Sequence, residues 1–216
     1  MRLSPDEKHV ALIGIGAGRK TPCLWLLNLA SDAIGRLTPE ARGVSLPAWT
    51  ADSKSIAVHL SAVLSAVDSA TGASQPLSTD PNVTYAYDWS PNGKHILATQ
   101  GGGANPSMLS LEGDRKVSRL LNSRFAVRGF RFSPDSQWVA YFLNQDQVYL
   151  APFPAINPKR QISVTGGRLP VWRADEGINQ YSASADGSRF LVNEPVTDQP
   201  RAEIMVVLNW PAELKR

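Results

Sequence analysis

Tyr85-Ala86-Tyr87-Asp88-Trp89-Ser90-Pro91-Asn92-Gly93-Lys94-His95-Ile96-Leu97-Ala98 reads as two short strands joined by a four-residue turn. Pro91 presets φ near −65° at the second turn position, Asn92 tolerates tight geometry and can bond its own backbone, and Gly93 accepts φ > 0 at the fourth. The aromatics before the turn and Ile96-Leu97-Ala98 after it supply strand propensity and a face to bury.

Copies of this hairpin recur along the chain. Aligned on the third turn residue they fall at Asp6, Asp52, Asn92, Asp135 and Asp175, so the intervals are 46, 40, 43 and 40 residues. A period of about 40 to 45 residues with four strands per unit is the signature of a β-propeller. The expected fold is all-β, a single propeller domain over 1–216 with units near 1–43, 44–82, 83–123, 124–167 and 168–216. Within the second unit the pattern predicts strands at Ser55 to Leu60, Ala62 to Val67 and Gln75 to Ser78, around a turn at Asp68 to Gly72. In the fourth it predicts Trp138 to Leu143, Gln147 to Pro152 and Lys159 to Val164. No segment carries a sustained 3.6-residue repeat, which excludes a helical domain.

The last unit is irregular. Eleven residues after Asp175 comes a second turn, Ser184-Ala185-Asp186-Gly187, too close for another four-stranded blade, so both turns are assigned to one unit ending in a strand at Ile204 to Trp210. The fourth turn position holds Gly93 in the third unit but Glu7, Ser53 and Ser136 elsewhere. A non-glycine residue at φ > 0 costs about 1 kcal/mol. Those three turns are therefore expected to be weaker or of another type, and Ser136→Gly to be neutral or stabilising.

Composition narrows the function classes. With 43% apolar residues, the chain can bury a full core. Lys and Arg total 22 against 19 Asp and Glu, and the resulting +3 is scattered without a basic run, which argues against nucleic acid as a partner. The single cysteine, Cys23, excludes an intrachain disulfide and a Cys-rich metal site; beside Leu24-Trp25-Leu26-Leu27 it reads as a buried structural thiol. No apolar segment approaches the roughly 20 residues needed to span a bilayer, and Met1-Arg2-Leu3-Ser4-Pro5 has no hydrophobic export stretch. Opening directly on a repeat turn, the chain reads as the tail of a longer protein.

Gly14-Ile15-Gly16-Ala17-Gly18-Arg19-Lys20-Thr21 invites a phosphate-loop reading. The spacing fails because Arg19 intervenes, and Pro22-Cys23-Leu24-Trp25-Leu26 looks like a strand where a helix is required. A hairpin loop is the better reading, as it is for Gly101-Gly102-Gly103 in the third unit. No cofactor is expected.

Ser-Pro-Asp-Gly turns preceded by Trp or Phe and followed by an apolar strand resemble the repeats of TolB-type propellers, relatives of the WD-repeat architecture. The segment from Val148-Tyr149-Leu150-Ala151-Pro152-Phe153-Pro154 through Pro170-Val171-Trp172, Asp186-Gly187-Ser188-Arg189-Phe190 and Val206-Val207-Leu208-Asn209-Trp210-Pro211 resembles the C-terminal propeller of certain bacterial membrane-anchored serine/threonine kinases. That resemblance implies a sensor or interaction module and a periplasmic or extracytoplasmic location. The chain departs from the pattern between Gly177 and Ser184, where about one blade of family sequence is missing. Five blades, or a ring completed by a partner chain through open edges, then remain.

Catalytic constellations are hard to find. His9 and His95 share a position that Ser55 and Trp138 fill in other units, so it reads as strand surface. No Gly-x-Ser-x-Gly elbow or metal-ligand spacing is present, and neither a catalytic residue nor a metal site is assigned. The turn aspartates are explained by turn hydrogen bonding. Register names a binding candidate instead: four residues before each motif aromatic stand Ser45, Tyr85, Arg128 and Arg168, and the second turn of the last unit adds Asn179. Brought onto one ring, they would make a polar, somewhat cationic mouth suited to an acidic peptide or carboxylate ligand, and the expected function is recognition of a protein or peptide there. Ordinary variable loop positions are the bland alternative, and the other function classes left open are a propeller hydrolase or lyase and a fragment that forms homo-oligomers through blade edges.

Overall fold

The computed structural model describes residues 1–16, 20–39, 47–61, 63–101, 105–123, 127–143, 147–161, 181–183, 190–192 and 205–207. The first sheet contains β1 (Arg2–Leu3), β2 (His9–Gly14), β3 (Cys23–Asn28) and β4 (Ile34–Arg36). The second contains β5 (Ala48–Trp49), β6 (Ser55–Leu60), β7 (Val63–Asp68) and β8 (Ser74–Pro76). The third is β9 (Val83–Trp89), β10 (His95–Gln100), β11 (Asn105–Ser110) and β12 (Val117–Arg119). The fourth is β13 (Val127–Phe132), β14 (Trp138–Leu143), β15 (Gln147–Pro152) and β16 (Arg160–Gln161). The last has three described strands, β17 (Tyr181–Ala183), β18 (Phe190–Val192) and β19 (Met205–Val207). Each sheet is an antiparallel meander in chain order.

Three predicted strands match the observed ones to the residue, namely β6, β14 and β15. In the final sheet β17 and β18 stand on either side of the Ser184 turn in the sequence; that turn and the one at Asp175, which share the last unit, lie outside the described residues. The first strands gather at the centre, β9 lying against both β5 and β13, and β17 against β1.

The core sits in the seams between sheets. Ala11 and Leu24 pack on Trp49, Ile56, Val58 and Val67 in the first seam. Ala48, Ala57, Leu64, Ala66 and Leu77 pack on Val83, Ala86, Ile96, Ala98 and Leu109 in the second. Leu97 meets Val127, Phe130, Val139, Tyr141 and Ala151 in the third. Successive side chains of a strand point to opposite faces. Ile96 and Ala98 therefore serve one seam and Leu97 the next. Two buried faces explain why the second strand of each sheet is a continuous apolar run rather than an alternating one.

Aromatic residues fill the third seam. Tyr87 lies 5.6 Å from Phe130, Phe130 lies 5.4 Å from Tyr141, and Tyr141 lies 5.8 Å from Tyr149, between ring centroids. Burial, with Tyr149 adding to it, pushes the Tyr141 phenol up to about 12. At the turn end of this seam His95 meets Phe153 edge-on at 5.1 Å, and its Nδ1 is buried without a partner. Burial lowers the His95 pKa first, Glu112 works against it, and Lys94 adds to it. A histidine lowered in the folded state contributes fully above its unfolded value of about 6.5 and loses that contribution as pH falls below it. Stability is thus expected to decline from pH 7 toward pH 5, and His95→Phe to flatten that slope in melting curves; an unaltered slope would refute the assignment.

The four described turns share one construction. Ser4, Thr50, Ser90 and Ser133 each accept a backbone N–H from the residue three positions on. Their hydroxyls donate to Asp6, Asp52, Asn92 and Asp135 and accept the N–H of His9, Ser55, His95 and Trp138. These hydroxyl bonds hold the carboxyls of Asp52 and Asp135 below the ordinary range. The fourth position has φ of 59° at Glu7, 60° at Ser53, 76° at Gly93 and 60° at Ser136. Of the expectation that three of these turns would be weaker or of another type, the second part is corrected: all adopt the glycine conformation.

Serine is retained there for a bond the sequence does not display. Ser53 Oγ accepts the Asp6 N–H at 3.0 Å and Ser136 Oγ accepts the Asn92 N–H at 3.1 Å, each across a sheet boundary. Relief of the left-handed backbone, worth about 1 kcal/mol, then offsets loss of a bond of similar worth. Ser136→Gly is now expected to leave the melting temperature near wild type or slightly below. Ser136→Ala keeps the backbone cost and loses the bond, so it should melt lower still; the reverse order would overturn the account.

Candidate functional site at the channel

Tyr85 stands near the start of β9, at the end away from the hairpin turns, and is 39% exposed although it belongs to an inner strand. It pairs with Thr99, and Arg128 in β13 pairs with Phe142, the equivalent position one sheet on. Two of the five sequence-named residues therefore occupy one register on adjacent inner strands. Ser45, Arg168 and Asn179 lie outside the described residues.

A polar bracket fixes the loop leading into Tyr85. Asp80 Oδ1 accepts from the backbone N–H and side-chain amide of Asn82, at 2.9 and 3.0 Å, and Oδ2 accepts from Gln100 Nε2 at 2.9 Å. Ser107, fully buried, donates to Gln100 Oε1 at 3.0 Å, and Asn82 O accepts the Gly101 N–H at 3.1 Å. The Asn82 backbone bond leads in holding the Asp80 carboxyl below its usual range. The first turn of β9 is therefore anchored, and Tyr85 projects from a supported strand.

Deeper in the channel the structure assembles residues that register reasoning passed over. Arg2, Asp88 and Arg131 each stand four residues before the third turn residue, where the second unit has Ala48. Asp88 is 6% exposed; one oxygen pairs with Arg2 and the other accepts the Phe132 N–H at 2.9 Å. The ladder slips at Tyr87, and the bulge turns its carbonyl toward two guanidiniums, Arg2 Nη1 at 3.1 Å and Arg131 Nη1 at 2.6 Å. Trp49 Nε1 donates to Arg2 O at 3.1 Å, joining the second sheet to the same knot. The Met1 amino group lies there too, its pKa pushed down to about 5 by burial first and by Arg2 and Arg131 after it. The available signal was three charges at one repeat position.

Other candidates resolve into structure. Cys23 is fully buried in β3, as expected of a structural thiol. Gly14 ends β2 and the next element is β3, so the glycine stretch falls in a strand connection. Among the described residues no three His, Cys, Asp or Glu side chains come close enough together to hold a metal ion, and no helix is long and apolar enough to cross a membrane.

Antiparallel meanders whose first strands meet at a common centre define a β-propeller. No protein-family model matches the sequence, and no curated protein matches it. Solved structures do. TolB from Acinetobacter baumannii is similar with a TM-score of 0.63 and 18% identity over 95% of this chain and 54% of that one. A TolB-assigned protein from Agrobacterium tumefaciens has a TM-score of 0.60 and 18% identity over 77% and 65%. An oligogalacturonate lyase in complex with manganese has a TM-score of 0.56 and 14% identity over 96% and 63%. This chain thus spans less than two thirds of each of these proteins. The neighbours bear out a TolB-like propeller fold, none of the three is a kinase, and they pair one architecture with differing activities.

Proposed function

We propose that this propeller is a non-catalytic binding or scaffold module that recognises a protein or peptide at the channel mouth. The observation that carries the reading is Tyr85, an exposed aromatic on a strand anchored by the Asp80 bracket, with Arg128 in the same register on the next inner strand. Aromatic and arginine side chains on rigid supports are the residue types that dominate binding energy. Arg168, Ser45 and Asn179 are proposed as further members of the mouth. Edge association is the weaker reading, because the outermost strands of the first four sheets carry Arg36, Pro76, Arg119 and Arg160, residues that discourage edge pairing.

The test is retention of a partner by immobilised protein. Tyr85→Ala, and Arg128→Ala combined with Arg168→Ala, are each expected to weaken retention at least tenfold while leaving the melting temperature near wild type. Unchanged affinity in both variants would sink the reading.

A further inference from the structure

Asn92-Gly93 is the single Asn-Gly step in the chain. Among the four described turns it is also the one with an amide at the third position, where the others carry Asp6, Asp52 and Asp135. An asparagine followed by glycine is chemically labile, because the glycine nitrogen has no side chain to shield it and can attack the preceding amide carbon. Both residues are exposed, and a Cβ added to Gly93 would meet nothing within 4 Å. We propose that Asn92 is a latent self-modification site, which deamidates through a succinimide when its turn opens and is protected while the turn is closed.

In the reaction Gly93 N gives up its proton and forms a bond to Asn92 Cγ, the bond from Cγ to Nδ2 breaks, and ammonia leaves carrying that proton. Water then opens the cyclic imide at one carbonyl to give an aspartyl residue, or at the other to give an isoaspartyl residue. The closed turn withholds the nucleophile, since the Gly93 N–H is bonded to Ser90 O at 2.8 Å. It holds the carboxamide as well: Asn92 Oδ1 accepts from Ser90 Oγ at 2.8 Å and from the Lys94 N–H at 3.1 Å. Those two donors would also stabilise negative charge on Oδ1 during attack. The locked nucleophile decides the outcome, because a nitrogen whose proton is held by a carbonyl must break that bond before it can react. Reaction therefore waits for local opening, as amide hydrogen exchange does.

The two products have opposite fates in this turn. An aspartate fits, since the turn uses the side-chain oxygen of Asn92 as an acceptor and asks nothing of its nitrogen. Asp6 accepts from Ser4 Oγ at 2.6 Å and from the Lys8 N–H at 3.2 Å, and Asp52 accepts from Thr50 Oγ1 at 2.7 Å and from the Lys54 N–H at 3.0 Å, in the same places. An isoaspartate routes the main chain through Cβ and Cγ, which lengthens it and leaves the carboxylate on Cα. That misplaces the acceptor. It also draws the backbone N–H away from Ser136 Oγ, ending the 3.1 Å bond that ties this turn to the fourth sheet.

The test incubates purified protein under mildly alkaline conditions, well below its melting temperature, beside a synthetic peptide spanning Tyr87 to Leu97. Aspartyl and isoaspartyl residues at the Asn92 position are followed by peptide mapping with mass spectrometry. The folded protein is expected to react at least about tenfold more slowly than the peptide, the factor reporting how rarely the turn opens. Ser90→Ala removes a donor to Oδ1 and the acceptor of the His95 N–H, so it should open the turn more often and raise the rate toward that of the peptide. Asn92→Asp is expected to melt as the wild type does, and the isoaspartyl fraction to melt lower. Equal rates in protein and peptide would overturn the protection, and so would a slower Ser90→Ala, which would show its hydroxyl promoting attack. An unreactive peptide would remove the site altogether. The comparison of protein with peptide decides the question even where Ser90→Ala does not fold.

Discussion

Asp88→Ala is expected to lower stability by about 3 kcal/mol, a fall in melting temperature of roughly 6 to 12 °C for a chain of this size. The carboxylate is nearly buried and serves two donors on different sheets, Arg2 and the Phe132 N–H. Truncation leaves a guanidinium and a backbone N–H without their acceptor, and the loss of one partner costs more than the pair contributes. The figure lies at the lower end of the usual range because water reaches Arg2. Asp88→Asn should cost less, since its amide oxygen still accepts from Phe132. Arg2→Ala with Asp88→Ala should cost clearly less than the sum of the single changes, because the residues are in contact. Thermal melts of the four proteins measure all of this, and an Asp88→Ala transition within 2 °C of wild type would show that the knot bears no load.

Gly129→Ala should be comparably damaging, at about 2 to 5 kcal/mol. Gly129 has φ of 67°, in the left-handed region, which costs an alanine about 1 to 2 kcal/mol. An added Cβ would also stand 2.5 Å from Cδ2 and 2.9 Å from Cε2 of Phe142. That ring must move, and overpacking of this kind costs about 1 to 3 kcal/mol. The position exists because the β13 ladder slips between Arg128 and Arg131, and Phe130 enters the aromatic seam through that slip. Phe142→Leu in the Gly129→Ala background should recover the steric part and leave the backbone part. A Gly129→Ala protein that melts like wild type would falsify the bulge geometry.

Repetition made the architecture legible. Turn residues act locally, so Ser90-Pro91-Asn92-Gly93 and its copies announce hairpins wherever they occur, and the apolar runs behind them announce strands buried on both faces. That reasoning located β6, β14 and β15 to the residue. It also put Tyr85 and Arg128 at one register on adjacent inner strands, since equal offsets from equal turns fall at equal heights along the backbone.

Three things were decided only in the folded molecule, because each joins residues far apart in the chain. The serines at Ser53 and Ser136 look unfavourable beside Gly93 until Asp6 and Asn92 are seen to donate to them across sheet boundaries. The bulges at Tyr87 and Phe130 come from packing between neighbouring sheets, which no local propensity encodes. Arg2 and Asp88, 86 positions apart, are brought together only by the packing of separate sheets. Alone, the sequence determines hairpins and their period through local turn chemistry and alternation. The Arg2–Asp88 pair depends on sheet-to-sheet geometry, which brings a side chain of one sheet to a carboxylate of another.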